Sequence, residues 1–407
     1  MSGGAFPTLR LRPRDPAERH RTSTPLELLF DLVFVVAVSL SSQALHHAEA
    51  ENHLLQGAGG YLAVFFAIWW AWMNFTWFAT SFDPDSWLYR ISTFVQMAGA
   101  LVIAAGSGPA LAHGDITWFV VGYVIMRLVA IPQWIQVAVQ EPRYRKTAIR
   151  YVGGIAIAQA LWLIALVTKV SEISLWLLVP IILLELCVPA FAERATPTPW
   201  NAHHITERFS LFTLILLGES ILASANAVIH AIEESRNPAA LVGVAFAALT
   251  IVASMWWLYF AKPMHHYLAG NLRRAMTFGY VHFLVFAAAG AFSAGIEATV
   301  DALEGHTALS PIAARATLAI PVAVFSLAVW WLAVRTALRP ASNLLILALI
   351  ALMLASMLTS FSIALIAICA AAIVIVAQTS GPRSPAAPAP SPATPAPSPH
   401  AERSPLA

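Results

Sequence analysis

Twelve stretches of roughly twenty apolar residues, separated by short polar loops, govern what this chain can fold into. A helix rises 1.5 Å per residue and a bilayer core is about 30 Å thick, so each stretch is long enough to cross once. They lie at 26–45, 59–79, 90–109, 116–134, 151–169, 173–191, 207–230, 240–260, 276–297, 315–337, 342–359 and 361–378. Only a turn signal at Thr359–Ser360 separates the last two, which leaves eleven spans as the alternative. Charged residues make up 11% of the chain, against about 25% in a soluble domain. The expected fold class is an all-α integral membrane protein.

Loop charges predict its orientation. One set of loops holds Arg10 to Arg21, Arg90, Arg143, Arg145, Lys146, Arg150, Arg194, Lys262, Arg273, Arg274 and Arg339. The opposite loops hold little more than Lys169, Arg236 and Arg315, with acidic residues and histidines such as His46, His47, Glu49 and Asp301. By the positive-inside rule both termini face the cytoplasm. The net charge of +2 is too small to suggest a nucleic-acid partner. Residues 1–25 read as a basic cytoplasmic segment rather than a cleavable signal, because no small-residue cleavage site follows. Residues 379–407 are a Pro/Ala/Ser-rich tract with too little apolar surface to order, a disordered cytoplasmic tail.

The chain also repeats itself. Trp69 to Phe75 (WWAWMNF) is echoed by Trp256 to Phe260 (WWLYF), and Arg90-Ile-Ser-Thr-Phe by Arg274-Ala-Met-Thr-Phe. The latter pair each reach an Ala-Ala-Gly, at Gly106 and Gly290, with the same spacing. Arg127 to Pro132 matches Arg335 to Pro340. Two six-helix units follow, 26–192 and 207–378, joined by a cytoplasmic linker at 193–206. Six is even, so the units share one orientation and a pseudo-two-fold along the membrane normal relates them.

Two segments, Thr24 to Ala37 (TPLELLFDLVFVVA) and Glu207 to Ile221 (ERFSLFTLILLGESI), resemble the signature stretches of the bacterial low temperature requirement A (LtrA) family. The resemblance extends over 20–378 and implies a multi-pass bacterial inner-membrane protein. That family name records a growth phenotype rather than a reaction, so the resemblance implies architecture and no particular chemistry.

Ionisable residues inside apolar segments are costly and call for an explanation. Glu27 and Asp31 share a face of the first span, with Glu27 suited either to the helix N-terminus or to a functional role. Glu219 lies about 18 Å along its span from Glu207, near the bilayer midplane, and is either a proton or cation site or a neutral hydrogen-bonded group. Glu207 reads first as an interfacial charge. Arg127, placed about 10 Å from the inner end of span 4, must snorkel or find a carboxylate, with Asp31 and Glu185 as candidates. His282 reads as a satisfied core histidine ahead of a proton relay. The adjacent pairs His46-His47, His203-His204 and His265-His266 read as loop residues, with nothing to fix metal geometry. The Trp runs read as interfacial anchors or helix packing, and Cys187 and Cys369 as apolar packing residues.

No P-loop, H-E-x-x-H, G-x-S-x-G or C-x-x-C motif is present, so no cofactor, metal ligand set or catalytic residue is assigned. The candidate proton, ion or substrate site comprises Asp31, Glu219, Arg127, Glu27, Glu207, Glu185 and His282. The leading reading is a proton-coupled secondary transporter of a small solute. The alternatives are a sensor or assembly factor without turnover, and a membrane enzyme acting on a lipid or apolar metabolite.

Overall fold

The computed structural model describes residues 11, 13–16, 18, 21–82, 86–169, 175–234, 238–268 and 271–380. The expected tail beyond Ser380 lies outside them, as do Arg10, Arg12, Arg19, Arg236 and the side chains of Glu233, Glu234 and His266. Among the described residues every regular element is helical. The longer ones, in chain order, are α1 (Pro25–Ala50), α2 (Leu54–Ser81), α3 (Trp87–His113), α4 (Thr117–Gln140), α5 (Arg145–Val167) and α6 (Val179–Ala192). There follow α7 (Ala202–Glu234), α8 (Pro238–Tyr259), α9 (Leu272–Glu304), α10 (Pro311–Val329), α11 (Pro340–Ala355) and α12 (Ser362–Thr379).

Among the described residues eleven helical segments are long and apolar enough to cross a membrane, with α10 carried on to Ala337 and α11 to Leu358 by the turns that follow them. The expected span at 173–191 begins in residues that lie outside the described ones, 170–174. Within the described residues a 3₁₀ turn at Leu175–Leu178 leads into α6, and the apolar helical stretch there is Trp176–Ala192, shorter than the other eleven. The last two expected spans do not fuse, because a 3₁₀ turn at Ser356–Leu358 keeps α11 and α12 apart.

Local chemistry sets the helix ends. Thr24 caps α1 with a reciprocal box: its Oγ1 accepts from Glu27 N at 3.3 Å and its own N–H donates to Glu27 Oε2 at 2.8 Å. Pro25 fills the first turn, where its missing N–H costs nothing. Ser86, Asn271 and Ser310 cap α3, α9 and α10. Gly114 and Gly305 close α3 and α9 at φ 67° and 76°, conformations that favour glycine.

Within the first half α1 packs on α2 and α3, and α3 on α4; within the second, α7 packs on α8 and α9, and α9 on α10. The halves meet where α1 and α2 touch α7 and α9. Lipid offers helices no hydrophobic drive to associate, so close approach depends on small residues. A Cβ on Gly122 would fall 2.5 Å from Gly99 O, and one on Gly295 2.5 Å from Thr317 O, so α3–α4 and α9–α10 both cross backbone to backbone.

The stretch preceding α1 is part of the fold. Leu11 is buried and its N–H donates to Gln140 Oε1 at 2.8 Å. Arg14 N donates to Ser81 O, and the Arg21 guanidinium donates to the carbonyls of Ala79 and Thr80, closing the C-terminal end of α2. Asn201, just before α7, donates to the carbonyls of Pro16 and Glu18 and accepts His204 N at 3.0 Å.

Candidate functional site: buried charge clusters and a polar cleft

Asp31 lies about 9 Å along α1 from Pro25, too deep for its carboxylate to reach water along the helix surface. Arg208 on α7 meets it: Nη2 donates to Asp31 Oδ1 at 2.6 Å, and Nη1 stands 3.0 Å from Glu27 Oε1. His204 Nε2 is 3.1 Å from the same Glu27 oxygen. The two contacts to Glu27 Oε1 are at ion-pair distance without hydrogen-bond alignment. Trp72 Nε1 completes the shell, donating to Asp31 Oδ1 at 2.7 Å. All five side chains are buried. Glu207 sits at the edge, its Oε1 accepting Ser23 N at 3.1 Å. The residues that sequence reasoning placed in separate segments therefore form one cluster. Arg208 and His204 were not among the expected site residues, and His204 belongs to α7 rather than a loop.

Arg127 lies deeper than expected. Helix α4 runs on to Gln140, which sets Arg127 about 20 Å from that end, near mid-helix and beyond snorkelling range. Its partner is Glu185 on α6, at 2.9 Å, and not Asp31. Glu185 also accepts from Trp70 Nε1 at 3.0 Å and Gln159 Nε2 at 3.1 Å. A further carboxylate, Glu193, follows α6. It accepts from Trp77 Nε1, Tyr151 Oη and Thr198 Oγ1 on one oxygen and from Thr198 N on the other, at 2.7 to 3.0 Å. Burial pushes the Glu193 carboxyl above its usual range, while the four donors pull the other way. Trp70, Trp72 and Trp77, all on α2, thus each clasp a different buried carboxylate, on α6, on α1 and at the end of α6. The Trp run is more than an anchor, a role its spacing alone does not reveal.

His282 is buried with both ring nitrogens engaged: Nδ1 is 2.7 Å from Phe278 O and Nε2 is 2.9 Å from Tyr259 Oη. The carbonyl can only accept, which assigns the proton to Nδ1 and leaves Nε2 to accept from the tyrosine.

Glu219 belongs to none of these clusters. It accepts from Ser39 Oγ at 2.6 Å across α1 and α7 and lines a cleft of about 580 Å³ between α1, α7 and α9. Gln43 and His46 of α1, Asn226 and His230 of α7, and Glu297 and Asp301 of α9 also line it. His46 and His47 are helical rather than loop residues. His46 Nδ1 is 3.0 Å from Glu297 Oε2 and its Nε2 is 2.8 Å from Asp301 Oδ2. A second cavity, of about 380 Å³, lies near the start of α7 and is lined by Arg21, His203, Glu207 and Lys262 among others. Asp31, Arg127 and Glu219 thus occupy three separate surroundings and do not converge on one solvated cavity.

Eleven apolar helices of crossing length among the described residues, with Arg–carboxylate pairs buried between α1 and α7 and between α4 and α6, define a polytopic α-helical membrane protein. The sequence profile of the bacterial low temperature requirement A protein (LtrA) matches residues 22–378, and the chain belongs to that family. It is 27% identical over 256 residues to the uncharacterized protein RA0937 of Rhizobium meliloti (strain 1021). That match covers 61% of this chain and 60% of the relative, so the chain spans about three fifths of the curated protein it resembles. No solved structure matches.

Proposed function

We propose that the protein is a proton-coupled secondary transporter of a small polar solute in a bacterial inner membrane. Its two halves act as repeats related along the membrane normal, and both termini are cytoplasmic. The observation that carries this reading is the cleft holding Glu219. A carboxylate near mid-membrane, hydrogen-bonded across the two halves by Ser39, opens into a cavity whose walls carry several more carboxylates and imidazoles. A cavity of that size suits a small molecule, and ionisable groups at membrane depth mark ion and proton pathways. Parallel packing orders support the repeat: the first, third and fourth helices of each half form its tightest chain of neighbours. The Arg208 and Arg127 clusters hold the helices together rather than carry solute, because their charges are already paired and fully buried.

The test is charge movement in proteoliposomes on a solid support, challenged with pH jumps and with panels of amino acids, carboxylic acids and amines. A solute-evoked, pH-dependent current is expected, lost in Glu219→Gln and partly retained in Glu219→Asp. An unchanged current in Glu219→Gln overturns the coupling role of Glu219.

A further inference from the structure

His46, in the cleft, bridges from α1 to α9. From α1 its two ring nitrogens reach two carboxylates on α9, Glu297 at 3.0 Å and Asp301 at 2.8 Å. A neutral imidazole has a single N–H, so it can donate to only one of two ionised carboxylates. The bidentate arrangement therefore needs an additional proton, and the imidazolium, with both nitrogens donating, supplies it without neutralising either acid.

The surroundings sharpen that requirement. Glu49, one turn further along α1, is buried, and its Oε2 has no hydrogen-bond partner. Two carboxylates, Glu297 and Asp301, are thus gathered about one cationic centre, with the buried Glu49 carboxyl nearby. Without the proton they face one another uncompensated, and like charges at such range repel. The other titratable groups near this centre are Glu219 and His230 from α7, and Glu304 and His306 at the end of α9. His47, the next residue on α1, lines the same cavity. The His46 side chain keeps 17% of its surface accessible, so water in the cleft can deliver and remove the proton.

We infer that His46 is a proton-binding site that latches α1 to α9: bound, the proton holds the cleft in the geometry seen here; released, it lets the two helices part at their Glu49 end. No bond other than N–H is made or broken, and the proton goes to water in the cleft. This deepens the transport reading, and rests on it only in assigning the proton a coupling role. The latch itself is measurable without any solute.

The experiment is a distance measurement by pulsed electron paramagnetic resonance in the full chain, with Cys187 and Cys369 replaced by alanine. Spin labels are placed at Glu51→Cys and Ala302→Cys, both exposed positions outside the cleft lining. A single short distance is expected at pH 5.5. A longer population should grow toward pH 8.5, its ratio to the short one rising about tenfold per pH unit, as release of one proton requires. His46→Lys, cationic across this range, should stay short throughout. Glu297→Gln leaves one carboxylate for a neutral imidazole to serve and should also stay short at both ends of the range. A pH-independent distribution with His46 intact, or the same pH response in His46→Gln, overturns the latch. Since no solute enters the measurement, loss of the latch leaves the Glu219 reading standing, and failed uptake leaves the latch standing.

Discussion

Arg208 on α7 lies 2.6 Å from Asp31 on α1, and this contact joins the two segments whose sequences mark the family. The pair also joins the two halves of the molecule in a place where neither charge reaches water. Breaking a buried pair from one side leaves an unpaired charge, at about 3–5 kcal/mol. Arg208→Met is therefore expected to lower stability by about that amount. Thermal unfolding of the purified protein in detergent checks it, and a loss comparable to an exposed-residue substitution rejects the account.

The Arg127–Glu185 pair makes the same argument within the first half. Arg127→Met and Glu185→Leu should each destabilise strongly, whereas the double variant should cost less than their sum. Residues in contact carry coupling of about 0.5–3 kcal/mol. Strict additivity in a double-mutant cycle speaks against a direct pair.

Two neighbouring tryptophans separate hydrogen bonding from bulk. Trp72 donates its indole N–H to Asp31, whereas the Trp69 indole nitrogen is buried without a partner. Trp72→Phe removes a hydrogen bond to a charged group, worth about 1.5–3 kcal/mol. Trp69→Phe removes no bond and should cost less. Equal losses in the two variants show that ring volume, not the indole donor, is what matters.

Glycine substitutions test the helix crossings. Gly295→Ala sets a methyl group 2.5 Å from Thr317 O, so α10 must move away from α9 and stability must fall. A Cβ at Gly243, on α8, meets nothing within 4 Å, and Gly243→Ala should be neutral or gain up to about 1 kcal/mol in helix propensity. Comparing the two melting temperatures decides the point.

Glu193 gives a pH prediction. Its pKa is raised by burial above the ordinary 4.5, so the folded state holds its proton more tightly than the unfolded state. That contribution is fully present below about pH 4.5 and is lost as pH rises through the folded value. Thr198→Val and Tyr151→Phe each remove a donor that favours the charged form, so the loss should extend to higher pH in both variants. Melting temperatures across pH 4 to 9 read this directly, and curves parallel to wild type refute it.

Hydrophobic runs of crossing length marked the membrane class and most of the helices, because lipid imposes one simple rule on segment length and polarity. Two segment signatures marked the family. Hydropathy does not register the 3₁₀ turn at Leu175–Leu178 that precedes α6. It also ended α1 and α4 early, at 45 and 134, although both helices continue to Ala50 and Gln140.

That a buried carboxylate such as Asp31 must find a cation follows from the sequence and the cost of charge in lipid. Which cation it finds does not. Arg208 lies 177 residues away, and Glu185 rather than Asp31 answers Arg127. Two similar sequence motifs part company for the same reason: a Cβ on Gly106 would strike Phe119 and Trp118, whereas one on Gly290 would strike Tyr61, Val38 and Ser42. Sequence settles how much of the chain enters the membrane and which groups cannot remain alone there. Only the tertiary packing of α1 against α7 and α9 decides the partners, because charge pairing acts over a few ångströms and depends on which helix faces meet.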